Sequence, residues 1–144
     1  MRSLTPKMGV LIVAAVVALV CVSSAYAQTT PLRVHVPFQF RAVDTLLPAG
    51  EYRVEMSLAH GRILIHPMDG RTGLYLPAQP TQRASAAVQP AALVFHRYGN
   101  HYFLWKVWNS GQSQGYEVPR SKAEREIARA YSPSDVVSIG AGAK

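Results

Sequence analysis

The sequence predicts an all-β protein, an antiparallel sandwich or small barrel of six to eight strands with one short C-terminal helix. Three observations carry that expectation. Apolar and polar residues alternate in several short runs from Leu32 onward. Gly-containing two-residue turn signals, Asp69-Gly70 and Gly99-Asn100, separate pairs of those runs. A single later stretch, Ala123 to Ala130, is built mostly of good helix formers.

The first 27 residues read as an export signal set apart from that fold. Arg2 and Lys7 form a positive start, Met8 to Val22 is an unbroken apolar run, and Ala25-Tyr26-Ala27 places a cut before Gln28. An apolar run of this length reaches only about 22 Å as a helix, short of the ~30 Å hydrocarbon core that an anchor must cross. Cys21 does not make the segment a lipoprotein signal, because Val20 precedes it where a small residue is wanted. Cleavage removes that lone cysteine, so residues 28–144 must be stabilised by packing, as one domain with no disulfide. It also removes Arg2 and Lys7 from fifteen basic residues, leaving thirteen against eight acidic ones, a net of +5. For an exported protein the expected anionic neighbours are envelope polymers and lipid headgroups, with no nucleic acid partner. No Lys/Arg run exists, however, and the arginines are spread along the chain, so solvated strand faces are the favoured reading of the charge.

Leu32 to Arg41 alternates, with Val34, Val36, Phe38 and Phe40 on one face; Pro37 makes it an edge strand or one with a local break. Leu47-Pro48-Ala49-Gly50 is a turn. Glu51 to Leu58 alternates again. His60-Gly61 then pairs Leu58 with Ile63 and Met56 with Ile65, setting Glu55 opposite His66. Asp69-Gly70 pairs Ile65 with Leu74 and Ile63 with Leu76. Both turns put Val54, Met56, Leu58, Ile63, Ile65, Leu74 and Leu76 on one face. Gln79 to Ala91 is a long connection, with room for a short strand near Ala84 to Val88.

Ala92 to Trp108 is the aromatic centre of the chain and reads as a hairpin about Gly99-Asn100. Its register pairs Tyr98 with His101 and His96 with Phe103. One face holds Val94, His96, Tyr98, His101, Phe103, Trp105 and Val107; Leu93, Phe95, Arg97, Tyr102, Leu104, Lys106 and Trp108 take the other. Neither face is polar throughout, so the hairpin is expected at the middle of the fold. Asn109 to Gly115 is a polar loop, Ser121 to Glu124 a capping box, Asp135 to Ile139 a closing strand, and Gly140 to Lys144 a frayed tail.

His96, Tyr98, His101 and Trp105 are the candidate ligand-binding residues, with any function expected at the turn end, around Tyr98 to His101. His96 and His101 lie on a diagonal, but zinc needs three or four ligands and no third is placed beside them. No metal or other cofactor is therefore expected. Glu55 and His66 suit an exposed ion pair better than an acid–base pair. Gly111-Gln112-Ser113-Gln114-Gly115 has the Gly-x-Ser-x-Gly spacing but falls in the polar loop and not at a strand-to-helix elbow. No serine sits in a Ser-x-x-Lys box, no close carboxylate pair suggests glycoside chemistry, and no glycine-rich phosphate loop is present. No catalytic residue is assigned. A membrane-spanning barrel is disfavoured by short strands whose outer faces carry Arg53, Glu55 and Arg97.

The segments VPFQF, LPAGEYRV, LVFHRYGNHYFLWKVW and SKAEREIA together resemble a family of small exported bacterial proteins that are frequent in acidobacterial genomes. FHRYG and YFL…VW are the most specific of them. The resemblance implies a periplasmic or extracellular β-domain and brings no catalytic residue. The expected role is non-enzymatic, structural or binding, at the cell envelope. The alternative is a small-ligand or glycan module using the aromatic hairpin. A metal-binding protein or a hydrolase ranks below both.

Overall fold

The computed structural model describes residues 30–57, 60–84, 89–131 and 135–142. The leader, Leu58, residues 85–88 of the suggested short strand and the last two residues of the tail lie outside them. Among the described residues are eleven strands and one helix: β1 (Leu32–Val36), β2 (Phe40–Ala42), β3 (Thr45–Leu47), β4 (Gly50–Ser57), β5 (Arg62–Pro67), β6 (Leu74–Pro77), β7 (Gln79–Gln82), β8 (Ala92–Tyr98), β9 (His101–Trp108), β10 (Gln114–Glu117), α1 (Lys122–Ala130) and β11 (Asp135–Gly140). The class is the expected all-β sandwich with one helix.

The strands form two sheets and no closed barrel. One runs β1-β4-β5-β6, the other β11-β8-β9-β10-β7. The β2–β3 hairpin joins the second sheet through a parallel bridge of Arg41 with Phe103. Only Ala78 separates β6 from β7, so the chain steps from one sheet to the other there. On the opposite flank an Arg33–Gly142 bridge ties β1 to the residues after β11.

The strand count exceeds the expected six to eight because β3, β7 and β10 are short and lack a clean apolar alternation. The first alternating run divides where Pro37 interrupts it: Val34, Val36 and Phe40 enter the core, while Phe38 stacks on Tyr102 at 3.8 Å. The connection from Gln79 to Ala91 begins with β7, which pairs with β10 despite Pro80.

The β4–β5 register differs from expectation by two residues. Met56 faces Ile63 and Val54 faces Ile65, because the ladder ends at the Ser57–Arg62 pair and does not close tightly about His60-Gly61. A two-residue slip preserves the face, so Val54, Met56, Ile63, Ile65 and Leu76 are buried as expected. It does move the outward pairs. His66 lies opposite Arg53, Glu55 opposite Leu64, and Glu55 pairs with Arg53 at 2.9 Å instead of with His66. The β5–β6 register follows the Asp69-Gly70 reading, with Ile65 opposite Leu74 and Ile63 opposite Leu76.

Leu93, Phe95, Leu104 and Val107 of the second sheet pack against Val34, Tyr52, Val54, Ile63 and Ile65 of the first. That apolar layer between the sheets supplies the main driving force of folding. The outer face of the second sheet is covered in part by α1. The outer face of the first is open to solvent.

Candidate functional site

The hairpin turn has the predicted register, with Tyr98 opposite His101 and His96 opposite Phe103. Gly99 has φ of 59° and Asn100 is not among the positive-φ residues, the pattern of a type II′ turn that favours glycine first. Four residues on, the ladder slips. Phe95 faces Leu104 but Val94 faces Lys106, which leaves Trp105 as the extra residue of a β-bulge.

The bulge corrects the expected faces. Beyond it every β9 residue is turned over, so Val107 joins Leu93 and Phe95 in the core rather than sharing a face with His96. Both tryptophans come to the outer side. Trp105 stacks on His96 with ring centroids 4.2 Å apart. Trp108 is 6% exposed, with the Arg83 guanidinium 4.3 Å above its ring; burial holds Arg83 below its ordinary pKa.

The helix makes the centre of this face. Ser121 caps α1, its Oγ accepting from the Glu124 amide at 3.1 Å, as the Ser-x-x-Glu spacing predicts. The Glu124 carboxylate, however, reaches the sheet. Its Oε1 lies 2.7 Å from His96 Nδ1 and accepts from the Tyr98 hydroxyl at 3.2 Å. Arg120 Nε stands 3.7 Å from the same oxygen. A carboxylate only accepts, which places the imidazole proton on Nδ1. His96, Tyr98 and Glu124 are each 3% exposed.

Three of the four sequence candidates are thus brought together. His96 and Tyr98 lie beneath the helix. Trp105 borders them, half-buried, its Nε1–H donating to Glu117 Oε1 at 3.1 Å with Lys106 Nζ 3.9 Å over its ring. His101 is not part of this group. It is exposed at the turn, its ring 6.4 Å from that of Tyr131. With Gln39, Arg41, Leu46, Asn100 and Tyr102 it lines a small depression of about 50 Å³. Glu124 is the member that sequence reading missed as a partner of the hairpin. Its only sequence signal was the capping box, which accounts for its backbone and not for its carboxylate.

Chemically, the His96–Glu124 arrangement orients an imidazole, with both side chains buried and the Tyr98 hydroxyl sharing the same Glu124 oxygen. Among the described residues no three His, Cys, Asp or Glu side chains gather as metal ligands. A larger concavity lies elsewhere, at one end of the first sheet. There Arg33, His35, Glu51, Tyr52 and Met68 border about 330 Å³ of open space. Burial, with the nearby Asp69 charge, raises the Tyr52 phenol above its ordinary pKa, against the opposing influence of Arg71; its hydroxyl donates to the Pro48 carbonyl. Among the described residues no helix is long and apolar enough to cross a membrane. Comparison with protein-family models, curated proteins and solved structures yields no match.

Proposed function

We propose that this chain is an exported, non-enzymatic β-sandwich domain that acts by binding at the cell envelope. The observation that carries the reading is the burial of the hairpin's reactive-looking side chains. His96 and Tyr98 are both bonded to the buried Glu124 carboxylate under α1, which suits a pin that fixes the helix to the sheet. The outer face of the first sheet, with its adjoining concavity, is open to partners. Export rests on the leader composition and its Ala-x-Ala site, and the resemblance to small exported bacterial proteins points the same way. The mature protein then stays in the periplasm or leaves the cell.

The alternative, a glycan or small ligand held by the hairpin, retreats to the turn, where His101 and Asn100 are exposed beside the 50 Å³ depression. One experiment tests the main reading. Protein recovered from an envelope fraction should begin at Gln28 by mass spectrometry, and should not turn over generic ester, glycoside or peptide substrates. Stoichiometric turnover above a heat-treated control would overturn it.

A further inference from the structure

The open face of the first sheet carries an arrangement that folding alone does not favour. In register across three neighbouring strands lie Arg33, Arg53 and His66, all pointing away from the core. Like charges set directly opposite on adjacent strands destabilise a sheet. Strands stand about 4.8 Å apart, so the row spans about 10 Å. Arg53 has a counter-ion in Glu55 at 2.9 Å. Neither Arg33 nor Arg62, which lies on the same face, has an ion pair among the described residues.

The next row on this face is Glu55, Leu64 and Tyr75. Tyr75, on the edge strand β6, is 65% exposed. His35 and Glu51 form the row on the other side and border the 330 Å³ concavity. The face therefore offers two arginines in line, a carboxylate in each flanking row, and an exposed ring within two strands of Arg53.

From this we infer that the outer face of the β1-β4-β5-β6 sheet binds an acidic polysaccharide lying across the strands. The inference rests on the binding role proposed above. Arg33 and Arg53 would hold acid groups of the chain, Glu51 and Glu55 would accept from its hydroxyls, and Tyr75 would pack against a sugar ring. The flanking carboxylates decide against a lipid surface: a uniformly anionic plane would meet Glu51 and Glu55 with repulsion, whereas a hydroxyl-rich polymer gives them donors.

The test is affinity electrophoresis of the purified protein in gels containing polygalacturonate, neutral dextran or no polymer, with sedimentation on phosphatidylglycerol vesicles alongside. Polygalacturonate should retard the protein and dextran should not. Arg33→Gln with Arg53→Gln should weaken retardation about tenfold or more, since each removes a charge-assisted hydrogen bond. Tyr75→Ala should weaken it about fivefold. Arg125→Gln with Arg129→Gln, an equal charge change on the exposed side of α1, should leave it within about twofold, and all variants should keep the parental melting temperature. Equal loss in the helix control would reduce the effect to net charge and overturn the site. So would vesicle binding without polymer binding. Absence of retardation in a protein that also lacks hydrolytic activity removes this site while leaving the non-enzymatic reading intact; hydrolysis of the polymer removes that reading instead.

Discussion

His96 Nδ1 lies 2.7 Å from Glu124 Oε1, both side chains 4% exposed, joining a strand and a helix 28 residues apart in sequence. Around this contact the Tyr98 hydroxyl, the Ser121 cap and the Trp105 ring are arranged, so it anchors α1 to the outer face of the second sheet.

Removing the acceptor should therefore be costly. Glu124→Ala leaves the His96 ring N–H and the Tyr98 hydroxyl buried without their shared oxygen, and should destabilise the fold by about 3 kcal/mol in urea unfolding. Glu124→Gln keeps an oxygen acceptor and should lose less than half of that. If the two variants cost the same, charge rather than hydrogen bonding holds the helix.

A second prediction concerns the close approach of β9 and β10. A Cβ built on Gly115 would stand 2.3 Å from Trp108 Cε3 and 2.7 Å from the Val107 carbonyl oxygen. The indole lies directly on the glycine, and the Arg83 guanidinium stands 4.3 Å from its ring centroid. Because backbone is one of the two obstacles, side-chain movement alone cannot make room. Gly115→Ala should cost about 1–3 kcal/mol and shift the near-ultraviolet circular dichroism of the tryptophans. Unchanged stability would mean that β10 does not pack on Trp108 in this way.

These two positions show where sequence reading reached and where it stopped. Alternation and turn chemistry found the β4–β5–β6 meander, the hairpin turn, the helix and the last strand, since each is encoded within a few neighbouring residues. The β4–β5 faces survived an error in turn length only because the slip was even. Trp105 is the counterexample. A single bulged residue inverts every side chain after it, and nothing in LWKVW marks which residue will bulge. The partnership of Glu124 with His96 was equally invisible, because the Ser121 box explains the glutamate locally. Strands such as β7, with the sequence QPTQ, exist by pairing rather than by pattern.

Tyr75 and the Arg33–Arg53–His66 row lie on the solvent side, so the same face should tolerate substitution well. Relief of like-charge opposition should make Arg33→Glu neutral or slightly stabilising, by up to about 0.5 kcal/mol, in thermal unfolding. A marked loss of stability would show that Arg33 supports the fold through its long aliphatic stem.

Two buried phenols make the fold sensitive to alkali. Burial raises the pKa of Tyr52 and of Tyr116 above the ordinary value of 10.0. The native state then holds these protons more tightly than the unfolded chain does. Their contribution is complete below the unfolded pKa, and is lost as pH rises from about 10 through the raised native values. The two sites differ in partners. Tyr52 donates to the Pro48 carbonyl, whereas Tyr116 Oη has no hydrogen-bond partner among the described residues. Tyr116→Phe therefore removes a buried unsatisfied hydroxyl together with an ionising group. It should stabilise the protein by about 1 kcal/mol at neutral pH and move its alkaline unfolding midpoint upward. Tyr52→Phe should lose stability at neutral pH, because the Pro48 carbonyl loses its donor. Urea titrations at pH 7 and pH 10.5 read both effects, and a destabilised Tyr116→Phe at pH 7 would mean that its hydroxyl is bonded after all.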